Sequence, residues 1–319
     1  MRGPDLIVCL AANPSIDRLF EVDRITVGET HRPQRFVPVA GGKGLNAARA
    51  AATLGAEVCV IAILGGNAGN WIVEQLDTER IPFRALWVAG ETRSSLSVAD
   101  RSTREMTEFY ERGEPVPESL WPQLLTLVEE CLEGAGQLTI SGSLPPGAPL
   151  DGYRRIVALA HQQNVPVILD AAGEYLEHAL DADPDFVKVN ALEASGLLGV
   201  DSNDVGSLEH ASELRARAGG EGHAAVITLG FQGIVAAAPD GSQWRGTLNA
   251  RGSYPVGSGD AFLAGLAVAR DRALTWSETL SLALGAAAAN AELPGAARLD
   301  ANRAGELSKL ARLSHSDSS

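Results

Sequence analysis

Short runs of Val, Ile and Leu alternate with segments of helical periodicity along most of the chain. The strand-like runs are DLIVCLAA, VCVIAILGG, QLTISGSLPP, VPVILDAAG, DFVKVN, AAVITLG and GIVAAAP. Between them, ESLWPQLLTLVEECLEG places apolar residues three and four positions apart, as an amphipathic helix does. Near-continuous apolar strands separated by helices indicate a parallel sheet covered on both faces. We therefore predict an α/β fold with a doubly wound, mostly parallel sheet, whose ligands bind at the carboxyl ends of the strands.

Two segments, about 16–38 and about 86–112, interrupt this alternation. Apolar and polar residues alternate in both, and neither contains a helical pattern, which is typical of partly exposed strands. They predict a small β-sheet beside the main domain that acts as a lid. Two surface hairpins without function are the alternative. No internal repeat or interdomain linker is visible, so the whole chain, 1–319, is interpreted as one domain with the lid inserted in it.

Composition restricts the partners. A chain of 319 residues with 45% hydrophobic content can bury a large core. Its net charge of −14 argues against nucleic acids and anionic membrane surfaces as partners. No eighteen apolar residues follow one another and the N-terminus does not resemble a signal peptide, so we expect a cytoplasmic protein. Any bound phosphate needs local cations, and the only lysines are Lys43, Lys188 and Lys309.

Cysteine and histidine provide no motif. Cys9, Cys59 and Cys131 lie far apart in apolar runs and are interpreted as core residues. The six histidines show no HxxxH spacing. We therefore predict neither a disulfide framework nor a zinc site.

The segment GSGDAF, Gly257 to Phe262, carries the strongest chemical signal. Its glycines let backbone N–H groups converge at the start of the helix AFLAGLAVA, which suits the binding of an anion. The carboxylate of Asp260 cannot neutralise that anion, but it can take a proton from a hydroxyl that attacks a phosphoryl group. Gly257, Ser258, Gly259 and Asp260 are therefore candidate catalytic residues. An N-cap role for Asp260 is the alternative.

A second glycine-rich turn, AGGKGLNAARAAATLG, also runs into a helix. Gly41, Gly42, Lys43 and Asn46 offer donors for phosphate or sugar hydroxyls. The string fits the dinucleotide pattern GxGxxA, but the next strand, VCVIAILGG, ends in glycines where an acidic residue is expected. A P-loop is excluded because GxxxxGK[ST] occurs nowhere.

Two further side chains fit a sugar-phosphate site. Asp17 in NPSID follows the first strand and can accept sugar hydroxyls, or it is an ordinary turn residue. Arg93 in GETRSS can clamp a phosphate from the lid, or it is an exposed surface arginine.

Two later motifs suit a nucleotide and its metal. In KVNALEAS, Asn190 and Glu193 can hold Mg²⁺ mainly through water, or they form a helix capping box. In TLGFQG, Thr228 to Gly233, a glycine turn can let a nucleotide approach the backbone closely. A tight hairpin is the alternative for this turn.

Taken in order, GGKGLN, ETR, SGSLPPG, VILDAAG, KVNALE, TLGFQG and VGSGDAFLAG resemble the motifs of the ribokinase-like sugar kinases. GGK and SGSLPPG are similar to the motifs of the phosphosugar branch, which contains the 1-phosphofructokinases and tagatose-6-phosphate kinases. The resemblance covers roughly residues 5–300. It implies an ATP- and Mg²⁺-dependent kinase, with Asp260 as general base and the backbone of 257–260 as anion hole. It also implies homodimers formed through the lid.

The resemblance assigns the remaining candidate residues. The substrate-binding set is Asp17, Gly41, Gly42, Lys43, Asn46, Arg93 and Ser141, with Lys43 and Arg93 on the existing phosphate. The nucleotide-binding set is Lys188, Thr228, Gly230, Gly233 and Gly259, and Asn190 and Glu193 belong to the magnesium shell.

The chain departs from the family pattern in three places. Val189 replaces a usual proline, Ser258 replaces a usual alanine, and the lid carries SSLSV and TEFYERGEP instead of the usual asparagine and TE-N-P-G-P stretch. Because the lid faces the sugar, these departures leave the identity of the acceptor sugar undecided. Fructose 1-phosphate is expected first, then tagatose 6-phosphate and fructose 6-phosphate. A non-catalytic sugar-phosphate or nucleotide sensor and, more distantly, a dinucleotide-dependent oxidoreductase are the rival functions.

Overall fold

The computed structural model describes residues 5–201 and 204–316. Its strands are β1 (Leu6–Ala11), β2 (Ser15–Val22), β3 (Arg35–Gly41), β4 (Val58–Gly65), β5 (Phe83–Val88), β6 (Ser94–Asp100), β7 (Glu105–Tyr110), β8 (Ala135–Ser141), β9 (Val167–Asp170), β10 (Phe186–Asn190), β11 (Ala224–Thr228), β12 (Ile234–Ala237), β13 (Gln243–Thr247) and β14 (Arg312–Ser316). Its helices are α1 (Lys43–Thr53), α2 (Gly66–Glu79), α3 (Leu120–Leu132), α4 (Gly152–Gln162), α5 (Gly173–Leu180), α6 (Ala191–Leu198), α7 (Leu208–Arg217), α8 (Ser258–Asp271), α9 (Trp276–Ala291) and α10 (Ala301–Ser308). The ends of the predicted single domain, 1–4 and 317–319, lie outside the described residues.

Ten strands form one large sheet in the order β14-β13-β12-β11-β10-β9-β8-β1-β4-β5. The pairs from β11 to β5 are parallel. The strands β12, β13 and β14 continue the sheet with antiparallel pairs at one edge. The predicted doubly wound, mostly parallel α/β sheet is therefore confirmed.

Strand β1 shows why its sequence reads as a continuous apolar run. Ile7, Cys9 and Ala11 enter one core cluster, which α1, α8 and α9 cover. Val8 and Leu10 enter the other, which α3, α4 and α5 cover. Because successive side chains of a strand point to opposite faces, both faces of this strand must be apolar. Within residues 5–201 and 204–316, no helix combines the length and the apolar character that crossing a bilayer requires.

The lid is a separate four-stranded sheet in the order β3-β2-β6-β7. Its first segment matches the prediction, but the second begins at Ser94 and not near Leu86. Leu86 to Val88 belong to β5, which pairs with β4 in the large sheet. The lid strand β3 ends at Gly41 and runs directly into α1, so the lid and the glycine turn form one continuous piece of chain.

The cysteines differ partly from the sequence-based interpretation. Cys9 is a buried core residue, as predicted. Cys59 on β4 and Cys131 on α3 are only partly buried, and the thiol of Cys59 donates to the carbonyl of Val60 at 3.9 Å. The neighbouring thiol of Cys131 lowers the pKa of the Cys59 thiol. The two residues are far apart in sequence, and only the packing of α3 on the sheet brings them together.

Candidate active site

A cavity of about 1320 Å³ lies between the carboxyl ends of the large sheet and the lid. Every candidate site residue from the sequence lines it except Gly41. Gly41 lies directly behind this wall, where a Cβ would overlap the carboxylate of Asp17. The converging ends of parallel strands explain why motifs so distant in sequence meet in one cavity.

The GSGD segment forms the start of α8. Gly257 is the N-cap residue, and its φ of 84° lies in the left-handed region that favours glycine. A Cβ at Gly257 would overlap the backbone nitrogen of Ala297, so a larger residue fits neither the conformation nor the space. Asp260 lies in the first turn and does not cap the helix. Its Oδ2 instead accepts a hydrogen bond of 2.9 Å from Asn46 Nδ2, which leaves the capping alternative without support.

Burial and neighbouring charges shift the pKa of Asp260. The residue is only 7% exposed, and this burial raises its pKa to about 7. Asp170 acts in the same direction, whereas Lys43, Asn46 and Lys188 oppose the rise in pKa. A general base is most effective when its pKa lies near the working pH. Asp260 therefore has the burial, position and protonation behaviour of a base for a hydroxyl group.

Asp170 links the two cavity lysines. Its Oδ1 lies 3.0 Å from Lys43 Nζ, and its Oδ2 lies 2.6 Å from Lys188 Nζ. Burial alone would raise the pKa of Asp170, but Lys188 and Lys43 hold it below its ordinary value. Lys43 also contacts Glu193 Oε1 at 3.2 Å. Burial opposes the charge of Lys43, but these carboxylates raise its pKa overall, so the ammonium stays charged.

Asp17 and Ser141 both line the cavity. Asp17 Oδ2 accepts from the backbone N–H of Gly42 at 3.2 Å, and its Oδ1 accepts from Ser15 Oγ at 2.5 Å. The Ser141 hydroxyl is buried and has no hydrogen-bond partner among the described residues. Because buried hydroxyls are normally paired, the free Ser141 Oγ at the cavity wall suits a ligand hydroxyl or phosphate.

Arg93 lies in the cavity wall and is only partly exposed, so it is not a free surface arginine. Its Nε and Nη2 both donate to the carbonyl of Asn13 at 3.2 Å. Its Nη1 donates to Ser95 Oγ at 3.1 Å and to the carbonyl of Glu111 at 3.2 Å. The guanidinium group thus holds the lid strand β6 against the end of β1.

Asn190 and Glu193 form the capping box that the sequence left as an alternative. Asn190 Oδ1 accepts from the Glu193 backbone at 2.9 Å, and Glu193 Oε2 accepts from the Asn190 backbone at 2.8 Å. No group of three or more His, Cys, Asp or Glu side chains suited to a metal occurs in the described part of the chain. Both residues line the cavity, and each oxygen can accept more than one hydrogen bond, so the pair fits a hydrated Mg²⁺ and does not fit a direct protein cage.

The nucleotide candidates border the opposite end of the cavity. Thr228 ends β11, and the chain returns as β12 through a 3-10 turn at Gly230–Gln232, which is the hairpin left open above. Gly230 and Gly233 have φ values of 59° and 97°. A Cβ at Gly233 would overlap a backbone carbonyl of β13, so glycine is needed there.

Asp170 and Asn290 contact residues of the cavity wall, and the sequence assigned them no role. Asp170 ends β9, and the expectation that binding residues lie at strand ends could have identified it in VILDAAG. Asp17, expected after the first strand at the rim of the large sheet, lies instead near the start of the lid strand β2. Asn290 is fully buried on α9 and donates from Nδ2 to the carbonyl of Val256 at 3.0 Å and to Ser258 Oγ at 2.9 Å. It fixes the loop before α8, but no local pattern in the sequence indicates this.

Comparison with known proteins agrees with the cavity chemistry. The model of the pfkB family of carbohydrate kinases matches residues 6–302. Tagatose-6-phosphate kinase of Staphylococcus epidermidis is 32% identical over 269 residues, which cover 82% of this chain and 84% of that protein. The tetrameric inhibited form of phosphofructokinase-2 from Escherichia coli superposes with a TM-score of 0.85 at 26% identity, over 96% of this chain and 98% of that one. A possible 1-phosphofructokinase from Thermotoga maritima shares the fold, with a TM-score of 0.85 at 21% identity over 98% of this chain and 100% of that one. The chain belongs to the pfkB family of carbohydrate kinases.

Proposed function

We propose that this chain transfers the γ-phosphoryl group of ATP to a hydroxymethyl group of a phosphorylated ketohexose, with fructose 1-phosphate as the first acceptor to test. The observation that carries the proposal is the buried carboxylate of Asp260 at the start of α8. It faces the same cavity as two lysines, Arg93 and the unpaired hydroxyl of Ser141. A base, an amide-lined helix start and cations in one cavity are the parts that phosphoryl transfer requires.

In this mechanism the hydroxymethyl oxygen of the acceptor attacks the γ-phosphorus of ATP while Asp260 accepts the hydroxyl proton, and the bond from the γ-phosphorus to the bridging oxygen breaks to release ADP. Asn46 holds the carboxylate in place through its hydrogen bond to Oδ2. The backbone N–H groups of residues 257–260 bind the charge that develops on the transferred group, since they are preorganised at a helix N-terminus. Mg²⁺, when bound, neutralises phosphate charge, and Asn190 and Glu193 would hold it through water.

The lid and the strand ends orient the acceptor. Asp17 is held by Gly42 and Ser15 so that its remaining lone pairs can accept sugar hydroxyls. Closing the lid over the cavity would exclude water and limit hydrolysis of ATP. Lys188, Thr228, Gly230, Gly233 and Gly259 border the nucleotide in this arrangement.

Tagatose 6-phosphate and fructose 6-phosphate are the other acceptors to test. The tagatose-6-phosphate kinase of Staphylococcus epidermidis favours the first, and phosphofructokinase-2 from Escherichia coli, solved in complex with fructose 6-phosphate, favours the second. All three sugars carry a phosphate at one end and a free hydroxymethyl group at the other. One site can therefore fit all three if the phosphate lies at the lid and the hydroxymethyl group lies at Asp260.

We also propose that two chains pair through the lid. Asp17, Ser95 and Ser97 line the cavity, so the alternate positions of these strands face outward. Phe36 and Phe109, which are 53% and 60% exposed, lie on that outer face. Exposed aromatic residues on a sheet face favour a protein partner, and a second copy of this chain would cover them.

A cytoplasmic location stays a prediction.

The proposal is tested by ADP release with ATP and Mg²⁺ across fructose 1-phosphate, tagatose 6-phosphate, fructose 6-phosphate, fructose and ribose. We expect at least about a hundredfold preference in kcat/KM for one phosphosugar over the free sugars. Asp260→Asn should lower kcat by roughly 10²–10⁴-fold while the nucleotide still binds. Turnover of free sugars alone, or near-normal turnover by Asp260→Asn, would contradict the proposal.

A further inference from the structure

The cations at the sugar end of the cavity differ in how many hydrogen-bond donors they have free. Lys43 has three N–H donors and uses two of them on Asp170 and Glu193. Arg93 has five donors and uses four of them on the carbonyls of Asn13 and Glu111 and on a serine hydroxyl. Each therefore retains about one donor for a ligand.

Arg112 is different. It lines the same cavity and is exposed, and no hydrogen bond or ion pair within residues 5–201 and 204–316 engages its guanidinium group. All five of its donors are available. A guanidinium group with two parallel N–H groups free can bind a phosphate bidentately, which a lysine cannot do.

The backbone of Arg112 is nevertheless held at the cavity wall. Its carbonyl accepts from Asn13 Nδ2 at 3.5 Å, and the same amide donates to Ser143 Oγ at 3.1 Å. The next residue, Gly113, packs beside Asn13 and Arg93: a Cβ there would lie 3.0 Å from Asn13 Oδ1 and 3.5 Å from Arg93 Cδ. The two arginines therefore belong to one corner of the cavity, with the hydroxyl of Ser143 close by.

The carboxylates at this corner of the cavity make the unpaired guanidinium group of Arg112 significant. Asp17, Glu108 and Glu111 line the same side of the cavity and would repel an anionic acceptor. Glu108 is already held by Tyr110, whose hydroxyl donates to Oε1 at 2.5 Å. A phosphorylated sugar entering here needs more positive charge than the residual donors of Lys43 and Arg93 provide.

We propose that Arg112 is the residue that binds the phosphate already present on the acceptor, and so determines the preference for a phosphorylated over a free sugar. This inference rests on the proposed function. In this arrangement Arg112 supplies a bidentate contact, and Arg93 acts mainly by holding the lid. Arg112 lies in TEFYERGEP, a segment in which the chain departs from the usual family pattern, so the contact is a property of this sequence.

The test compares Arg112→Gln and Arg112→Lys with Arg35→Gln, which replaces an exposed lid arginine outside the cavity. For the preferred phosphosugar, Arg112→Gln should lower kcat/KM on the order of 50-fold, mostly through KM, because two charge-assisted hydrogen bonds are lost. Arg112→Lys keeps the positive charge but cannot make two parallel hydrogen bonds, so kcat/KM should fall about fivefold to tenfold. Arg35→Gln should match the wild type, and kcat/KM for free fructose should change less than about twofold in all three variants.

Calorimetric titration of the phosphosugar without nucleotide gives a second readout, in which Kd should rise by the same factor as KM. If the wild type turns over a phosphosugar and Arg112→Gln behaves like Arg35→Gln, the role of Arg112 is refuted while the proposed function stands. Equal losses with fructose and the phosphosugar would also refute it, because the residue would then act on lid structure. If the wild type turns over no phosphosugar, the proposed function itself fails.

Discussion

Replacing Asp170 with Asn should destabilise the protein strongly, because this carboxylate is the shared partner of two lysines. The substitution keeps the size of the side chain but removes its charge. Asp170 is fully buried and Lys188 is 3% exposed, so Lys188 would be left as a buried cation without a carboxylate in direct contact. Lys43 is 35% exposed and keeps Glu193, so it can compensate in part.

The magnitude follows from these exposures. Removing one partner of a buried ion pair costs about 3–5 kcal/mol. The more exposed contact to Lys43 contributes little because solvent screens it. We therefore expect a loss of about 3 kcal/mol, from the lower end of that range. With an unfolding entropy of about 2.1 cal/mol/K per residue, a domain of 319 residues should lose roughly 4–5 °C in Tm.

Thermal unfolding followed by circular dichroism, at equal protein concentration, measures this difference. The matched control is Glu130→Gln, which breaks the 2.9 Å contact to Arg84, a pair with both side chains more than half exposed. That control should cost less than about 1 kcal/mol. Asp170→Asn combined with Lys188→Met should recover part of the loss, because the unpaired buried charge is gone. An Asp170→Asn protein as stable as Glu130→Gln would refute the view that the buried carboxylate is essential to this cluster.

Three further predictions concern the site and the lid. Because the proposed mechanism needs the ionised carboxylate of Asp260, whose pKa is raised to about 7, kcat/KM should rise as pH increases through about 7. Asn46→Ala removes a hydrogen bond that lowers this pKa and should move the rise to higher pH, and a rate independent of pH between about 5.5 and 9 would contradict this. Gly257→Ala should lower kcat more than about a hundredfold in steady-state assays, because the φ of 84° at Gly257 and the atoms around it exclude a Cβ. Gly196→Ala in α6, where a Cβ has open space, should leave kcat unchanged, and equal activities of the two variants would argue against the proposed anion hole. Phe36→Asp should convert a dimer to a monomer in light scattering, since it places a charge on the outer lid face; an unchanged mass would exclude pairing through this face.

The sequence predicted the sheet and most of the cavity because both depend on local patterns. Apolar strands followed by glycine or polar residues place motifs at the carboxyl ends of parallel strands, which is where Asn190 and Thr228 lie. Asp17 reaches the cavity from the lid strand β2 instead. The helix start at Gly257 was visible because only glycine fits a left-handed N-cap against another backbone. Each of these signals lies within a few residues of the structure that it predicts.

Contacts between distant residues could not be predicted in the same way. Lys43 pairs with Asp170, which is 127 positions away, so the sequence showed a lysine in a glycine turn but not its counter-charge. Asn290 reaches the loop before α8 from another helix, 34 positions from the carbonyl that it contacts. Leu86 continues an alternating pattern into β5, and only the pairing of that strand with β4 separates it from the lid.

The most direct test of the account is the identity of the product formed from ATP, Mg²⁺ and a ketohexose monophosphate. We predict that the wild-type protein forms ADP and a ketohexose 1,6-bisphosphate in equal amounts, with the new phosphomonoester on the hydroxymethyl carbon, as phosphorus NMR can establish. Asp260→Asn should form almost none while it still binds ATP. ADP released without a bisphosphate, or a phosphoryl group found only on an unphosphorylated sugar, would contradict the assignment of this cavity as a phosphosugar kinase site.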